Sequence, residues 1–313
     1  MSNFPPVSLA VINYNEKKWL ISCLPSLTAT DYPDFKIIVI DNASKDGSIQ
    51  FIKDNFSDIE VISNRKNIGL SGAVNLAINI AIERAAKYVV ILNPDIKVSP
   101  DWLDELVKVA EGNADVGIFM PLHHDYSGDK IDFNLSNILN KSIQYQKDKD
   151  AGNLKESYEV TSVIGACMMI NTNVIKKVGL MDPIYFLCAE DSDLARRVIF
   201  HGYKIVVAMK SKIMHWHRML HKDKINELNR RAGFLQFRNQ FIYFLKDPNR
   251  PFLNNLWRYY FDKKTGAWSM IKSWVPISNL RYLSLVGYIQ FWIFFHLPII
   301  FARHSRDRKG HER

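Results

Sequence analysis

The sequence predicts an α/β protein: a mostly parallel central sheet flanked by helices, followed by a C-terminal helical region. Three observations predict it. Up to residue 120, short apolar runs alternate with segments of helical period, the pattern of repeated βα units. Several of those runs end in Asp or Asn, where a parallel sheet opens its ligand crevice. Charge then divides the chain, because residues 1–200 carry 20 Lys+Arg against 26 Asp+Glu, net −6, whereas residues 201–313 carry 21 against 6, net +15.

In order, Val7 to Tyr14 reads as a strand, Lys17 to Leu27 as a helix, and Phe35 to Ile40 as a second strand ending at Asp41. Gly47 to Phe56 is a helix, Ile59 to Ile62 a short strand, and Ser71 to Ala86 a helix. Tyr88-Val89-Val90-Ile91-Leu92 is apolar throughout and reads as a strand covered on both faces. Asp101 to Ala110 is a helix entered through Ser99-Pro100, since Ser caps and Pro suits a first turn. Val116 to Met120 is a fifth strand. Residues 122–158 are polar and aperiodic and predict one long loop. Ser162 to Ile170 returns as a buried strand whose small Gly165-Ala166 lets a backbone or ligand come close. Asp191 to Phe200 follows as a helix, then Lys204 to Ala208 and Lys212 to His217 as strands.

A chain of 313 residues suits one large or two unequal domains, here divided as 1–225 and 226–313. Cys23, Cys167 and Cys188 lie far apart, which argues against a disulfide framework or a zinc site and fits a reducing, cytoplasmic setting. No basic region and apolar stretch of a signal peptide opens the sequence. The basic C-terminal part calls for an anionic partner, and its neighbours favour a membrane surface over nucleic acid. Leu283 to Phe301 has no Asp, Glu, Lys or Arg and is flanked by Arg281 and by Arg303, Arg306, Arg308 and Lys309. Aromatic residues from Trp257 to Trp274 alternate with Arg258, Lys263, Lys264 and Lys272, as at a headgroup boundary. A helix lying in or dipping into one leaflet is expected, with the basic tail on the cytoplasmic side. Removing residues 281–313 should release the chain from membranes and leave nucleotide binding intact.

Five clusters carry the candidate chemistry. Asn93-Pro94-Asp95 follows the buried strand at 88–92 and reads either as a favourable turn or as a hard-oxygen site for Mg²⁺ or Mn²⁺. Asp41, in Asp41-Asn42-Ala43-Ser44, can accept bonds from a base or ribose, or cap a helix. Asn67-Ile68-Gly69 through Asn75 is a glycine turn entering a helix, whose free N–H groups can face a diphosphate or sugar. Glu190-Asp191-Ser192-Asp193 sets three carboxylates in one first turn; Glu190 and Asp193 share a face, so one acid can meet the crevice as general base while another caps. His215-Trp216-His217 offers two imidazoles on one strand face.

In order and spacing these clusters, with Val11-Ile12-Asn13-Tyr14-Asn15, Gly165-Ala166-Cys167-Met168-Met169 and Arg197, resemble the glycosyltransferase family 2 enzymes of GT-A fold, particularly the rhamnosyltransferase-like members. The likeness covers about residues 7–245. It departs at Asn93, where the family usually has the first acid of an Asp-x-Asp motif, so Asp95 is the only charged ligand there. The resemblance implies an inverting transferase moving a sugar from a nucleotide-diphosphate donor, dTDP-rhamnose or a UDP-sugar, to a hydroxyl of a lipid-linked or surface-polysaccharide acceptor. It implies Asp191 as base with Glu190 and Asp193 supporting. Asn13, Asn15, Asp41, Asn67, Gly69, Asn75 and Asn93 would meet the nucleotide, and Asp95 with His215, or His217 in its place, the Mg²⁺ or Mn²⁺. Two rivals stay open: a metal-dependent nucleotidyltransferase, which would be expected to carry a basic glycine-rich loop where Asn13-Tyr14-Asn15-Glu16 stands, and a noncatalytic nucleotide-sugar or membrane-binding protein.

Overall fold

A computed structural model describes residues 4–216, 227–262, 264, 266, 267, 269 and 280–309, with only the backbone for 227–233 and 280–285. The boundary at residue 225 and His217 lie outside the described residues. The first half is the expected alternation: β1 (Val7–Asn13), α1 (Lys17–Thr28), β2 (Phe35–Asp41), α2 (Ser48–Asn55), β3 (Glu60–Ser63), α3 (Gly69–Glu83) and β4 (Tyr88–Leu92). There follow β5 (Ile96–Val98), α4 (Trp102–Glu111), β6 (Val116–His124), α5 (Phe133–Leu139), α6 (Ile143–Asp150) and β7 (Ser157–Val160). The sheet domain ends with β8 (Cys167–Asn171), α7 (Thr172–Val178), α8 (Glu190–Phe200) and β9 (Lys204–His215). Helices α9 (Glu227–Leu245), α10 (Phe252–Phe261) and α11 (Leu280–Lys309) form the C-terminal region.

One nine-stranded sheet runs β3-β2-β1-β4-β8-β6-β9-β5, with β7 also pairing β9. The β3-β2-β1-β4 half is parallel. Beyond β4 the sheet is mixed, because β8 enters antiparallel between β4 and β6, and β5 and β7 join β9 antiparallel. Both faces are buried. Leu20, Leu24, Trp102 and Leu106 cover one, and Val74, Ile78, Leu194 and Val198 the other.

Several sequence expectations change. Residues 122–158 are not one loop but hold the end of β6, α5, α6 and the start of β7. The strand expected from Ser162 begins only at Cys167, because 161–166 leaves the sheet to line the crevice. The two strands expected at 204–208 and 212–217 are one, β9, with its register against β6 shifting at Pro121/Leu122. Ser99 does not cap α4; its hydroxyl donates to the Lys212 carbonyl at 3.0 Å.

Candidate active site

Strand register fixes the floor of the site. Asn13 lies opposite Asp41 and Val11 opposite Leu92, so residues 13–15, 41–44 and 93–95 leave the sheet along one carboxyl edge. Asp41, fully buried, accepts from Asn13 Nδ2 at 2.8 Å and from the Ser44 N–H at 2.9 Å. Asn15, in a left-handed conformation, donates its N–H to Ser44 Oγ at 2.8 Å and accepts the Lys45 N–H on Oδ1 at 2.7 Å. These bonds lock the two loops together before any ligand arrives. Asn13 Oδ1 is buried without a protein partner among the described residues, and suits a ligand N–H or hydroxyl.

The glycine turn behaves differently from expectation. Asn42, which sequence reasoning passed over, is its hub: Nδ2 donates to Asn67 Oδ1 and the Gly69 carbonyl, and Oδ1 accepts the Ile68 N–H at 3.0 Å. The Gly69 N–H goes to Asn67 Oδ1, and the Leu70 N–H to the Phe186 carbonyl at 2.6 Å. The amides expected to face a diphosphate are therefore already engaged, and Asn67 and Gly69 order the turn. Glycine is required at 69, where φ is +80° and a Cβ would fall 2.6 Å from the Phe186 oxygen. Asn75 is also corrected, since both ends of its amide bond the backbone of Met181, at 2.8 and 2.9 Å, tying α3 to the loop before α8.

Asp95 and His215 meet across the β5–β9 pair, in which Ile96 faces His215. Asp95 Oδ1 is 3.8 Å from His215 Nε2, and His215 Nδ1 is 3.8 Å from Asp132 Oδ2. Asp132, the N-cap of α5, is a further residue the sequence reading missed. The one signal for it was an Asp ahead of Leu135, Ile138 and Leu139 at helical spacing. Burial opposes its ionisation, but the His215 imidazole and the two α5 amides outweigh that and hold it down to about 2. Asp132 lies on the Nδ1 side of the ring, so Nε2 is the nitrogen turned to Asp95. His123 lies against His215 with ring centres 6.0 Å apart; burial, then His215, pull it down to about 3, so it stays neutral. A carboxylate oxygen facing an imidazole nitrogen is a donor pair suited to a divalent cation. Among the described residues no group of three such side chains surrounds one, so the remaining positions would fall to diphosphate oxygens and water. Beside it Trp19, Tyr126 and Trp216 pack ring to ring, and the Trp216 N–H donates to the Asp95 carbonyl at 2.8 Å.

The Glu190-Asp191-Ser192-Asp193 turn sorts its acids by environment. Asp193 points inward, fully buried, against Arg197 Nε at 3.0 Å, Lys246 Nζ at 3.1 Å and the Tyr185 hydroxyl at 2.9 Å, so it does not support the crevice as expected. Glu190 is buried, and burial followed by the Asp191 charge pushes it up to about 8. Asp191 is half-buried, raised by burial, and steadied as an anion by Ser192 and the Gly165 amide. A Cβ on Gly165 would sit 3.0 Å from Asp191 Oδ2, which explains the small residue there. The Asn93 N–H bonds the adjacent Ala166 carbonyl at 2.8 Å, so the 165–166 backbone links the Asp95 turn to Asp191.

The family model described as glycosyl transferase family 2 matches residues 8–179. The chain belongs to that family. This family 2 glycosyltransferase is 23% identical over 241 residues, covering 69% of it and 76% of the relative, to the N-acetylglucosaminyl-diphospho-decaprenol L-rhamnosyltransferase of Mycobacterium tuberculosis. It is 21% identical, covering 66% of it and 67% of the relative, to the dTDP-rhamnosyl transferase RfbF of Shigella flexneri. Its fold matches a mannosyltransferase of Pyrobaculum calidifontis, solved with GDP-Man and Mn²⁺, with TM-score 0.58 and 15% identity over 99% of this chain and 87% of that one. The fold is GT-A, and the reaction is glycosyl transfer.

Proposed function

We propose that this family 2 enzyme inverts the anomeric centre in a single displacement, passing a hexosyl or rhamnosyl group from dTDP-rhamnose or a UDP-sugar to a hydroxyl of a lipid-linked or surface glycan. The observation that carries this reading is the single crevice carboxylate at the head of α8. Asp193 is locked in an internal ion pair and Glu190 is buried, which leaves Asp191, half-buried beside Gly165, as the carboxylate that meets the crevice. A glycosidase needs two crevice carboxyls, one of them an acid to protonate its leaving group.

In this mechanism Asp191 removes the proton from the acceptor hydroxyl as that oxygen bonds the anomeric carbon and the carbon–oxygen bond to the diphosphate breaks. Asp41, Asn13 and Asn15 form the nucleotide end, and Asn93 hydrogen-bonds the sugar or ribose. Asp95 and His215 would hold Mg²⁺ or Mn²⁺, with Asp132 orienting the imidazole. Once bound, that cation offsets charge growing on the departing diphosphate. The names of the Mycobacterium and Shigella relatives support a rhamnosyl donor and a lipid diphosphate acceptor. The exposed aromatic faces of α10 and α11 support a membrane surface as partner, at the cytoplasmic face, where nucleotide sugars are available. Screening nucleotide sugars for thermal stabilisation with and without Mn²⁺, then assaying transfer by the best binder, tests donor and metal together. Stabilisation by nucleoside triphosphates and not by any nucleotide sugar would overturn the proposal in favour of a nucleotidyltransferase.

A further inference from the structure

The backbone that leads into Asp191 is held from outside the sheet domain. Phe186, Cys188 and Ala189 have φ of 60°, 71° and 69°. That left-handed region is one non-glycine residues keep only where their surroundings over-determine it. Here the surroundings are α9. Asn239, 0% exposed, directs Nδ2 at three carbonyls of this loop: Tyr185 O at 2.8 Å, Leu187 O at 2.8 Å and Cys188 O at 2.7 Å.

The orientation of that amide is itself fixed. Arg238, a donor only, reaches Asn239 Oδ1 with Nε at 3.0 Å and Nη2 at 2.8 Å, so Nδ2 must face the carbonyls. Arg238 Nη2 also donates to the Ile184 carbonyl at 2.8 Å, and its guanidinium lies 4.7 Å from the centre of the Trp292 ring on α11. Without that donor the Leu187 and Cys188 carbonyls lose their side-chain partner, while the Tyr185 carbonyl keeps the Leu187 N–H at 2.7 Å and Arg238 Nη2 at 3.3 Å, and the left-handed turn then loses its counterweight. Ala189 is the N-cap of α8, with Glu190 and Asp191 next in line, so the path of 185–189 sets where the Asp191 carboxylate stands against Gly165.

We propose that Asn239 is a positioning residue for the base, acting through the 185–189 loop, with Arg238 fixing its amide. This rests on Asp191 being the base. The test compares full-length Asn239→Ala and Asp191→Asn in steady-state transfer, with thermal melting of each. Asn239→Ala should lower kcat roughly 10- to 100-fold, the scale of a small misplacement of a reacting group. The loss should fall more on kcat than on donor KM, because Asn239 bonds the 185–188 carbonyls directly and reaches the glycine turn only through Phe186, and the acidic limb of the kcat profile should move as Asp191 leaves the Gly165 amide. If Asn239→Ala does not fold, Asn239→Ser, which keeps one donor, should show the same split with a smaller loss. Full kcat in Asn239→Ala beside an inactive Asp191→Asn would overturn the proposal and spare the base assignment. Retained transfer by Asp191→Asn would overturn both. Failure of both position-239 variants to fold would overturn it in favour of a purely structural role.

Discussion

Proton transfer from an acceptor hydroxyl needs a carboxylate that reaches the crevice, and at the head of α8 that is Asp191, half-buried beside Gly165, while Glu190 is buried. Asp191→Asn should lower kcat by roughly 10²- to 10⁴-fold, the usual weight of a general base, with donor binding by calorimetry unchanged. A matching loss of binding would mean the residue holds the donor instead. Glu190 makes a separate pH prediction. Its folded value, about 8, lies above the ordinary 4.5, so folding favours the protonated acid. That contribution is complete below about pH 4.5 and is lost as pH rises through 8. Glu190→Gln cannot ionise, so its melting temperature relative to wild type should climb between pH 5 and pH 9; a constant difference would show that Glu190 is already ionised in the fold. At the other carboxylate, Asp95→Ala should abolish the Mn²⁺-dependent part of nucleotide-sugar stabilisation and spare the metal-independent part, which the Asp41 loops supply.

Between elements, the joint that matters is a buried ion cluster under α8. Lys246 of α9, 0% exposed, lies 2.7 Å from Asp182, 3.1 Å from Asp193 and 3.1 Å from Asp307 of α11, and Arg303 and Arg306 of α11 also reach Asp182. Lys246→Met would leave three acids buried around an apolar side chain, and should cost about 3–5 kcal/mol in chemical denaturation. Burial alone would raise Asp193, but Lys246, then Arg197 and Arg196, overcome it and hold the carboxyl well below its ordinary value. The stability this pairing gives is present above the unfolded value near pH 4 and is lost as pH falls below it. The cost of Lys246→Met should accordingly be largest near neutral pH and shrink as pH falls below about 4, which chemical denaturation at a series of pH values would follow. None of this was legible in the sequence, which assigns Arg303 and Arg306 to a basic tail flanking a membrane segment and singles out neither Lys246 nor Asp182. The parallel βα half was legible because each apolar run pairs with a neighbour close in sequence. A three-residue strand such as β5 exists only through its pairing with His215, and Asp132 joins the site only because α5 starts beside β9. Asp41, Asp95 and Asp191 stood out because strand ends and a helix start expose them; Asn75 and Asp193 misled because spacing does not say which face is inward.

For the whole molecule, the same cluster bears on the proposed membrane contact of α11. Val286–Lys309 is long and apolar enough to cross a bilayer, by length and composition. Its inner face is committed to protein, however: Ile289, Ile293 and Ile300 are fully buried, and Gln290 accepts the Tyr259 hydroxyl at 2.7 Å. Its basic end pairs with Asp182 and Lys246, so that end cannot lie across a bilayer from the sheet domain. A helix on the surface fits both facts, with Phe291, Phe294 and Phe295 exposed and Leu253, Trp257 and Phe261 of α10 exposed as well. Deleting 281–313 would therefore remove Arg303, Arg306 and Asp307 from the cluster and destabilise the catalytic loop, contrary to the simple release expected from sequence. The discriminating variant is Phe291→Ser/Phe294→Ser/Phe295→Ser. Each ring buried in lipid contributes about 1.5–3 kcal/mol at full burial, so even half that depth predicts at least a roughly 10-fold loss of partitioning. Co-sedimentation with vesicles containing anionic lipid should show that loss, with melting temperature and nucleotide binding unchanged because these rings are exposed and pack on one another. Raising salt should weaken wild-type binding only in part, leaving the aromatic component. Equal pelleting of variant and wild type would place the lipid contact elsewhere on the chain.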